Sequence, residues 1–495
     1  MVLRKGRRQF VYFSEGKTTS ALKTIYTVYL LGIIIGMPFI SCAQEEVAAV
    51  DNSFGIDHKN QLIVWNPSAE RMGIRPKVLR FDAAFQNTKE GSIDPKNKVS
   101  LQSNGKEYQL FTTTYPVVQI SYEADTLKKH PRVPARFSYY DSDTTFTQPI
   151  TMRLRGNISL QFPKKNFDIE FQEHVDSTDT EDVLLKNLRE DDDYVLDGMY
   201  NESLRLRAKT ALALWQEQRP WTYSRKGKSG PEGFYVDLFV NGTYRGIYYL
   251  GEQVDRKLMK LKKKEGDTVR GELFKAGYYA DGTKFMAAPD FKNALPTWAG
   301  FEMEYPYEDY VAFYDNLHAF MTFVTSSSKS DFAQNVEQWL DVENAIDYFL
   351  FVNAIRATDN LGKNFYFGRY DNDEPYLFIP WDVDGSFGVI QAGKRIPTTD
   401  DILDNGLFKR LWDENPNNYR QKVAQRWFEL RKKLYATEAV LQQINEQYEQ
   451  FQKEHVYARE ALIWENTFTE ENKTYLTQWI TDRFAFLDSY FETAR

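Results

Sequence analysis

The sequence predicts an α+β fold in which a β-rich half, residues 111–285, precedes an α-rich half, residues 286–495. Short runs of alternating apolar residues and an Asn-Gly turn favour strands in the first half. Apolar residues three and four positions apart favour helices in the second half, with one strand pair inserted among them. The chain of 495 residues is long enough for two or more structural units, because one domain usually takes about 100–200 residues.

The β-rich half contains one or two predicted helices among its strands. Phe167, Ile169 and Phe171 alternate with polar residues, so one face of that strand should be buried. Asn241-Gly242 separates two apolar runs and suits the tight turn of a β-hairpin. The predicted strands are 115–122, 135–140, 150–155, 167–171, 234–240 and 244–250, and the predicted helix is 204–215.

The α-rich half is predicted from helical periodicity, and its last helices form a C-terminal extension. The inserted hairpin pairs residues 364–368 with 376–379 through a polar turn. The predicted helices are 307–324, 336–357, 419–435, 439–454 and 476–491.

The first 41 residues have the pattern of a signal peptide. Six basic residues and one acidic residue precede an apolar run at 25–40, which leads to Ser41 and Cys42. A small residue directly before a cysteine resembles a bacterial lipoprotein signal, in which Cys42 is lipidated and anchors the exported chain at the periplasmic or cell surface. The alternative is a secretory signal cleaved after Ala43. Residues 42–110 are polar, and we expect a tether or a small accessory region there.

Composition excludes several classes of function. Acidic residues outnumber basic ones by 70 to 62, and the net charge of −8 leaves no basic excess to bind nucleic acid. The single cysteine excludes a disulfide within the chain and a zinc-finger array.

Residues 355–388 carry the strongest chemical pattern. Asp359 follows a predicted helix, and Asn364 comes five residues later. The hairpin then leads to Asp382 and Asp384, and because a hairpin returns the chain to where it began, these side chains should lie close together. Their oxygens suit Mg²⁺ or Mn²⁺, with phosphate completing the coordination. The alternative is that Asp359 and Asn364 only cap helix ends and turns.

The same order occurs in protein kinases, where a catalytic-loop Asp, an Asn five residues later and a metal-binding Asp follow one another. The β-rich half offers the other groups that such a site needs. Lys164 and Lys165 open the strand 167–171, and a strand lysine can pair with nucleotide phosphates. Glu252 ends the predicted hairpin, where it could bind that lysine. The two lysines could equally be solvated charges at the start of a strand.

Six segments share a pattern with one known family. They are Arg155-Gly-Asn-Ile-Ser159, Pro163-Lys-Lys165, Asn201-Glu-Ser-Leu-Arg-Leu-Arg207, Asn241-Gly-Thr-Tyr-Arg-Gly-Ile-Tyr-Tyr-Leu-Gly-Glu252, Asp359–Asn364 and Pro380-Trp-Asp-Val-Asp384-Gly-Ser-Phe-Gly388. Together they resemble the CotH kinase family, the spore coat protein H type, over most of residues 111–435. The sequence departs from that family at Ile158, where a second Ser or Thr is usual.

The resemblance implies an atypical protein-kinase-like bilobal fold and a transferase that moves phosphate from ATP to Ser or Thr of a protein. It implies that Asp359 is catalytic. The implied metal ligands are Asn364, Asp382 and, as a second carboxylate, Asp384. The implied nucleotide-binding residues are Arg155, either Lys164 or Lys165, and Glu252 as the partner of that lysine.

Two other functions stay open from the sequence. One is a catalytically silent relative that serves as a surface binding or adhesion module, because an exported protein meets little ATP. The other is a polysaccharide-active protein, which would need two carboxylates about 5–10 Å apart beside Tyr and Trp side chains. If the chain is a kinase, its cofactors are ATP with Mg²⁺ or Mn²⁺, and its partners are a protein of the cell envelope and the membrane.

The lipid anchor gives the first testable prediction. Replacement of Cys42 by alanine removes the thiol that would carry the lipid, so the variant should leave the membrane fraction. Fractionation of cells expressing either protein measures this. Unchanged membrane association of the Cys42→Ala variant would contradict the lipoprotein interpretation.

Overall fold

The computed structural model describes residues 47–495 except 51–52, 69–70, 90, 95, 176, 223–226, 391 and 466–467. Cys42 and the predicted signal peptide lie outside the described residues. The described chain has an α+β fold, with three sheets of five or more strands followed by a predominantly helical region, which confirms the predicted class. Among these residues, none of the helices is long and apolar enough to cross a membrane.

The segment expected to be a tether or accessory region folds as a seven-stranded sheet. Its strand order is β1-β4-β5-β6-β7-β3-β2, and Trp65, Leu101 and Leu110 are buried in its own small core. The strands are β1 (Val47–Ala49), β2 (Phe54–Asp57), β3 (Leu62–Trp65), β4 (Val78–Arg80), β5 (Ala84–Asn87), β6 (Val99–Ser103) and β7 (Lys106–Thr112). This unit is therefore an ordered accessory region and not an extended spacer.

A second sheet of seven strands closes on itself in the order β10-β11-β12-β16-β15-β8-β9. Phe167, Ile169 and Phe171 lie in its core, as their alternation predicts. Asn241 and Gly242 both have positive φ, which the predicted hairpin turn between β15 and β16 requires. The elements of this region are β8 (Val117–Ser121), β9 (Val133–Tyr140), β10 (Thr145–Arg155), β11 (Asn166–Phe171), β12 (Asp193–Asp197), α1 (Arg207–Gln218), β13 (Trp221–Thr222), β14 (Gly227–Lys228), β15 (Gly233–Val240) and β16 (Thr243–Glu252).

A five-stranded antiparallel sheet joins the two predicted halves. It consists of β17 (Glu272–Ala276), β18 (Thr297–Trp298), β19 (Phe301–Tyr305), β20 (Phe365–Arg369) and β21 (Leu377–Pro380), in the order β18-β19-β17-β20-β21. Strands β20 and β21 are the predicted inserted hairpin. Strand β17 pairs with β20, so the expected boundary between 285 and 286 falls inside this sheet.

Helices pack around that sheet. The expected helix 336–357 is divided in two, because Asp341 caps the second part by accepting a hydrogen bond from the Asn344 N–H group. The helices are α2 (Arg256–Met259), α3 (Asp315–Ser326), α4 (Lys329–Trp339), α5 (Val342–Ile355), α6 (Gly406–Glu414), α7 (Tyr419–Arg431), α8 (Thr437–Lys453), α9 (Val456–Glu460) and α10 (Glu470–Glu492). Nearly every residue of α5 is buried, so this helix lies at the centre of the helical region.

The short helix α9 is attached to the closed sheet by two adjacent buried charges. The Arg459 guanidinium donates to both carboxylate oxygens of Asp237 on β15, at 3.0 and 2.8 Å. Glu460 accepts from Lys164 Nζ at 2.5 Å and from Arg205 Nε at 3.0 Å. All five side chains are almost fully buried, so each charge depends on its partner for compensation.

Removal of one member should therefore destabilise the fold strongly. The Arg459→Met variant leaves Asp237 buried without its cation, and breaking such a pair typically costs about 3–5 kcal/mol of unfolding free energy. Urea denaturation measures the difference. The control is Lys409→Met, which breaks an exposed pair with Asp413 and should change stability little. A loss in Arg459→Met no larger than that of the control would contradict this account.

Candidate functional site

A cavity of about 450 Å³ lies between the closed sheet and the five-stranded sheet. The ends of β10, β12 and β16 form one wall, and β17, β19 and the segments beside the β20–β21 hairpin form the other. Its volume is in the range of small-molecule binding sites. The two sheets place residues that are far apart in sequence on facing walls.

The loop after α5 brings Asp359 to this cavity. Helix α5 ends at Ile355, and a 3₁₀ turn over Thr358–Leu361 presents the Asp359 carboxylate. The Asn360 side chain donates to the carbonyl oxygens of Asn364 and Trp381, at 2.6 and 2.8 Å. These bonds fasten the loop to both ends of the hairpin, so the hairpin returns the chain to Asp359 as the sequence predicts.

The predicted metal ligands meet at the open end of the hairpin. Asn364 and Asp382 both have positive φ, near 58° and 51°, and the Asn364 amide donates to the Asp382 carbonyl oxygen at 3.4 Å. Asp384 accepts a hydrogen bond from the Asn201 amide at 2.5 Å. The side chain of Asp382 is exposed into the cavity, whereas that of Asp384 is half-buried. The left-handed backbone at both ends of the hairpin is unfavourable for residues other than glycine, so the surrounding structure must hold these two residues in place.

The carboxylates in this cluster repel one another. Asp382 has accessible surface inside the cavity, but the surrounding walls desolvate its carboxylate, and this desolvation together with the nearby charge of Asp197 raises the pKa of Asp382. Burial and then the charges of Asp382 and Asp197 raise the pKa of Asp384 well above its usual value. Among the described residues, no three acidic side chains of this cavity bring their oxygens within 4.8 Å of one another, but Asp and Asn oxygens are the ligands that Mg²⁺ and Mn²⁺ prefer, and a cation would relieve the repulsion. The residues therefore fit Mg²⁺ or Mn²⁺.

Cationic side chains line the same cavity. The Arg155 guanidinium lies 4.7 Å from the centre of the Trp381 ring, and Lys275 projects from β17. Both charges act to lower the pKa of Asp382, although burial and Asp197 act more strongly in the opposite direction. A carboxylate cluster with two cations beside it suits a ligand that brings metal and phosphate together.

The predicted lysine–glutamate pair is not formed among the described residues. Lys164 is fully buried and donates to Glu460, and Lys165 donates to the Leu160 carbonyl oxygen at 2.6 Å. Glu252 lies at the cavity but pairs with Lys228 at 2.8 Å. It also accepts from the backbone N–H groups of Arg189 and Glu232. Neither Lys164 nor Lys165 is among the residues that line the cavity, and Lys164 instead attaches α9, so this structure does not place the predicted phosphate lysine at the site.

Five residues of the site were not singled out from the sequence. Asp197 ends β12, Asn201 lies within a quoted motif, and Lys275 sits on a strand that the sequence pattern did not predict. The other two are Tyr279 and Lys363, which contact the two oxygens of Asp359 at 3.1 and 2.8 Å. Asn201 and Lys363 belong to motif segments and could have been found there.

The sequence matches the model of a known protein family. A family model described as CotH kinase protein matches residues 152–487, which include every site residue named above. No curated protein matches the chain.

Loss of one carboxylate from the cluster should have different effects on the stability of the protein with and without metal. The Asp384→Asn variant removes one repelling charge but keeps an oxygen to accept from Asn201, so in EDTA it should be as stable as the unmodified protein or more stable. Excess Mn²⁺ should stabilise the unmodified protein, by about 2.7 kcal/mol at 100 times Kd. The variant should lose most of this gain in a thermal-shift measurement.

The matched control is Asp373→Asn, which changes an exposed carboxylate in the turn of the same hairpin. It should keep the full gain from Mn²⁺. An Asp384→Asn protein that is less stable in EDTA and retains the whole Mn²⁺ effect would show that Asp384 is not a metal ligand.

Proposed function

Because the chain belongs to the CotH kinase family, we propose that it is a protein kinase that transfers the γ-phosphate of ATP to Ser or Thr hydroxyl groups. The observation that carries this proposal is the meeting of Asp359, Asn364, Asp382 and Asp384 at one cavity that Arg155 and Lys275 also line. Phosphoryl transfer needs these groups together: a carboxylate for the acceptor hydroxyl, oxygen ligands for metal and cations for phosphate.

Each residue has a separate role in this proposal. Asp359 orients the acceptor hydroxyl and takes its proton. Asn364, Asp382 and Asp384 would bind Mg²⁺ or Mn²⁺, which neutralises negative charge on the phosphates when it is bound. Arg155 and Lys275 contact phosphate oxygens, and Lys275 takes the place that the sequence assigned to Lys164 or Lys165.

The proposal extends to the architecture and to the location of the protein. The closed sheet would act as one lobe and the helical region as the other, with the nucleotide between them as in a bilobal kinase. Export with a lipid on Cys42 would place the site beside proteins of the cell envelope, which would be the substrates.

Replacement of Asp359 tests the mechanism. The Asp359→Asn variant keeps the size of the side chain but cannot take a proton, so transfer of label from γ-labelled ATP should be abolished. Binding of Mg²⁺-ATP should stay within a few-fold, because the metal ligands and cations are intact. Labelling of envelope proteins and calorimetric titration with Mg²⁺-ATP measure the two effects. Full transfer by a folded Asp359→Asn protein would contradict the mechanism.

A catalytically silent binding module predicts another result. In that case, neither the unmodified protein nor any variant transfers label, and Mg²⁺-ATP causes no thermal stabilisation. A shift caused by glycans instead of Mg²⁺-ATP would favour the polysaccharide-active alternative.

The choice of phosphate lysine can be tested with a matched pair of variants. Lys275→Met should weaken ATP binding about ten- to a hundredfold, since a charge-assisted contact contributes roughly 1.5–3 kcal/mol. Lys165→Met should leave ATP affinity unchanged, because that side chain is used locally on Leu160. The reverse result, with loss only in Lys165→Met, would restore the assignment made from the sequence.

A further inference from the structure

Tyr279 lies against the loop that carries Asp359. Its hydroxyl group is within donating distance of two acceptors, Asp359 Oδ1 at 3.1 Å and the Thr358 carbonyl oxygen at 2.8 Å. A general base and the hydroxyl that it deprotonates are usually about 2.6–3.2 Å apart. The Tyr279 hydroxyl therefore donates to a carboxylate oxygen as the hydroxyl group of a phosphate-accepting substrate would.

The second oxygen of the same carboxylate is already compensated. Lys363 Nζ lies 2.8 Å from Asp359 Oδ2 and 5.6 Å from the centre of the Tyr279 ring. Burial and the charge of Asp359 raise the pKa of Tyr279, so its hydroxyl stays protonated and can donate. Oδ1 is the oxygen that already accepts from a hydroxyl group, whereas Oδ2 faces the ammonium group, so Oδ1 is where one hydroxyl donor can replace another.

A glycine makes room for the tyrosine ring. A Cβ atom at Gly362 would lie 2.5 Å from Tyr279 Cδ1 and 2.7 Å from its Cε1, which is too close for real atoms. The φ of Gly362 is −147°, so the backbone does not itself demand glycine. The absence of a side chain at 362 is what lets the ring lie on this loop.

The ring can leave this position without opening a core. Tyr279 is 47% exposed, and it belongs to a loop between β17 and β18. The neighbouring Tyr278 is equally exposed at 48%, but its hydroxyl pairs with Thr297 and not with the Asp359 loop. The two tyrosines thus differ chiefly in whether they contact the carboxylate.

We propose that Tyr279 is a placeholder for the acceptor hydroxyl, and that a substrate binds by replacing the Tyr279 hydroxyl on Asp359 Oδ1. This inference rests on the proposed kinase function and names the side of the site from which the acceptor enters. The exchange conserves the number of hydrogen bonds on Asp359, because one hydroxyl donor replaces another. While Tyr279 is in place, it also keeps water from this oxygen.

Removal of the placeholder should therefore let water act as acceptor. In that reaction water gives a proton to Asp359, its oxygen bonds to the γ-phosphorus, and the bond from that phosphorus to the bridging oxygen breaks to release ADP and phosphate. Hydrolysis without a protein acceptor should rise, whereas loss of a residue that only supports the fold would lower it.

The experiment compares three variants of the full chain. Tyr279→Phe removes the hydroxyl and keeps the ring, Gly362→Ala displaces the ring and keeps the hydroxyl, and Tyr278→Phe is the matched control. We expect ADP release from Mg²⁺-ATP to rise about two- to tenfold in the first two, which is the factor that one ordinary hydrogen bond contributes. The control should equal the unmodified protein.

A second measurement does not depend on activity. Limited nitration with tetranitromethane, mapped by mass spectrometry, should modify Tyr279 faster in Gly362→Ala than in the unmodified protein, with Tyr278 as the internal reference. Hydrolysis that falls in Tyr279→Phe, while its melting temperature and Mg²⁺-ATP affinity are unchanged, would overturn the inference and leave the proposed kinase function intact. Absence of Mg²⁺-ATP binding in all four proteins would overturn both.

Discussion

The buried attachment of α9 controls the geometry of the candidate site. Arg205 donates to Glu460 through Nε. Through Nη1 it donates to the carbonyl oxygens of Met199, Tyr200 and Glu202. The loop that it fixes carries Asn201, which in turn donates to Asp384. Through Arg205 and Asn201, Glu460 thus determines where the Asp384 carboxylate of the candidate site lies. Since all the charges are out of water, a partly formed network would be costly, and the segments can be expected to order together.

In contrast to the paired charges that attach α9, the carboxylates of the candidate site are not each paired with a cation in the part of the chain that the structure describes. Burial and the charge of Asp197 raise the pKa of Asp382, and burial with the charges of Asp382 and Asp197 raises the pKa of Asp384. Asp382 also adopts a left-handed backbone that costs free energy in a residue other than glycine. Such a segment is unfavourable unless its surroundings or a ligand compensate for it. Here the bonds from Asn360 and Asn201 provide rigid support without adding positive charge. The protein therefore holds these oxygens in place with neutral donors, an arrangement in which the cation proposed above would balance their charge.

Local features of the fold and the site could be predicted from the sequence, whereas contacts between distant segments could not. The hairpin β20–β21 and the closeness of Asp359, Asn364 and Asp382 were predictable, because a hairpin is a local structure that determines where its ends lie. The partner of Lys164 was not, because Glu460 is almost three hundred residues away and no local pattern indicates it. Strand β17, with Lys275, was missed because its few apolar residues show no clear alternation. The accessory sheet was missed because its strands are three to seven residues long and lie between polar turns.

The chemistry of the cavity walls favours phosphate over sugar. A polysaccharide site presents open aromatic faces on which sugar rings stack, but the Tyr and Trp side chains that line this cavity, Tyr249, Tyr366 and Trp381, are buried. The face of Trp381 is covered by the Arg155 guanidinium. That contact fixes the guanidinium plane and leaves its N–H groups at the edge, where they can donate to oxyanions. The Trp381 ring orients the arginine beside the carboxylate cluster. This arrangement suits a ligand that carries both negative charge and metal, so the geometry supports a nucleotide better than a glycan.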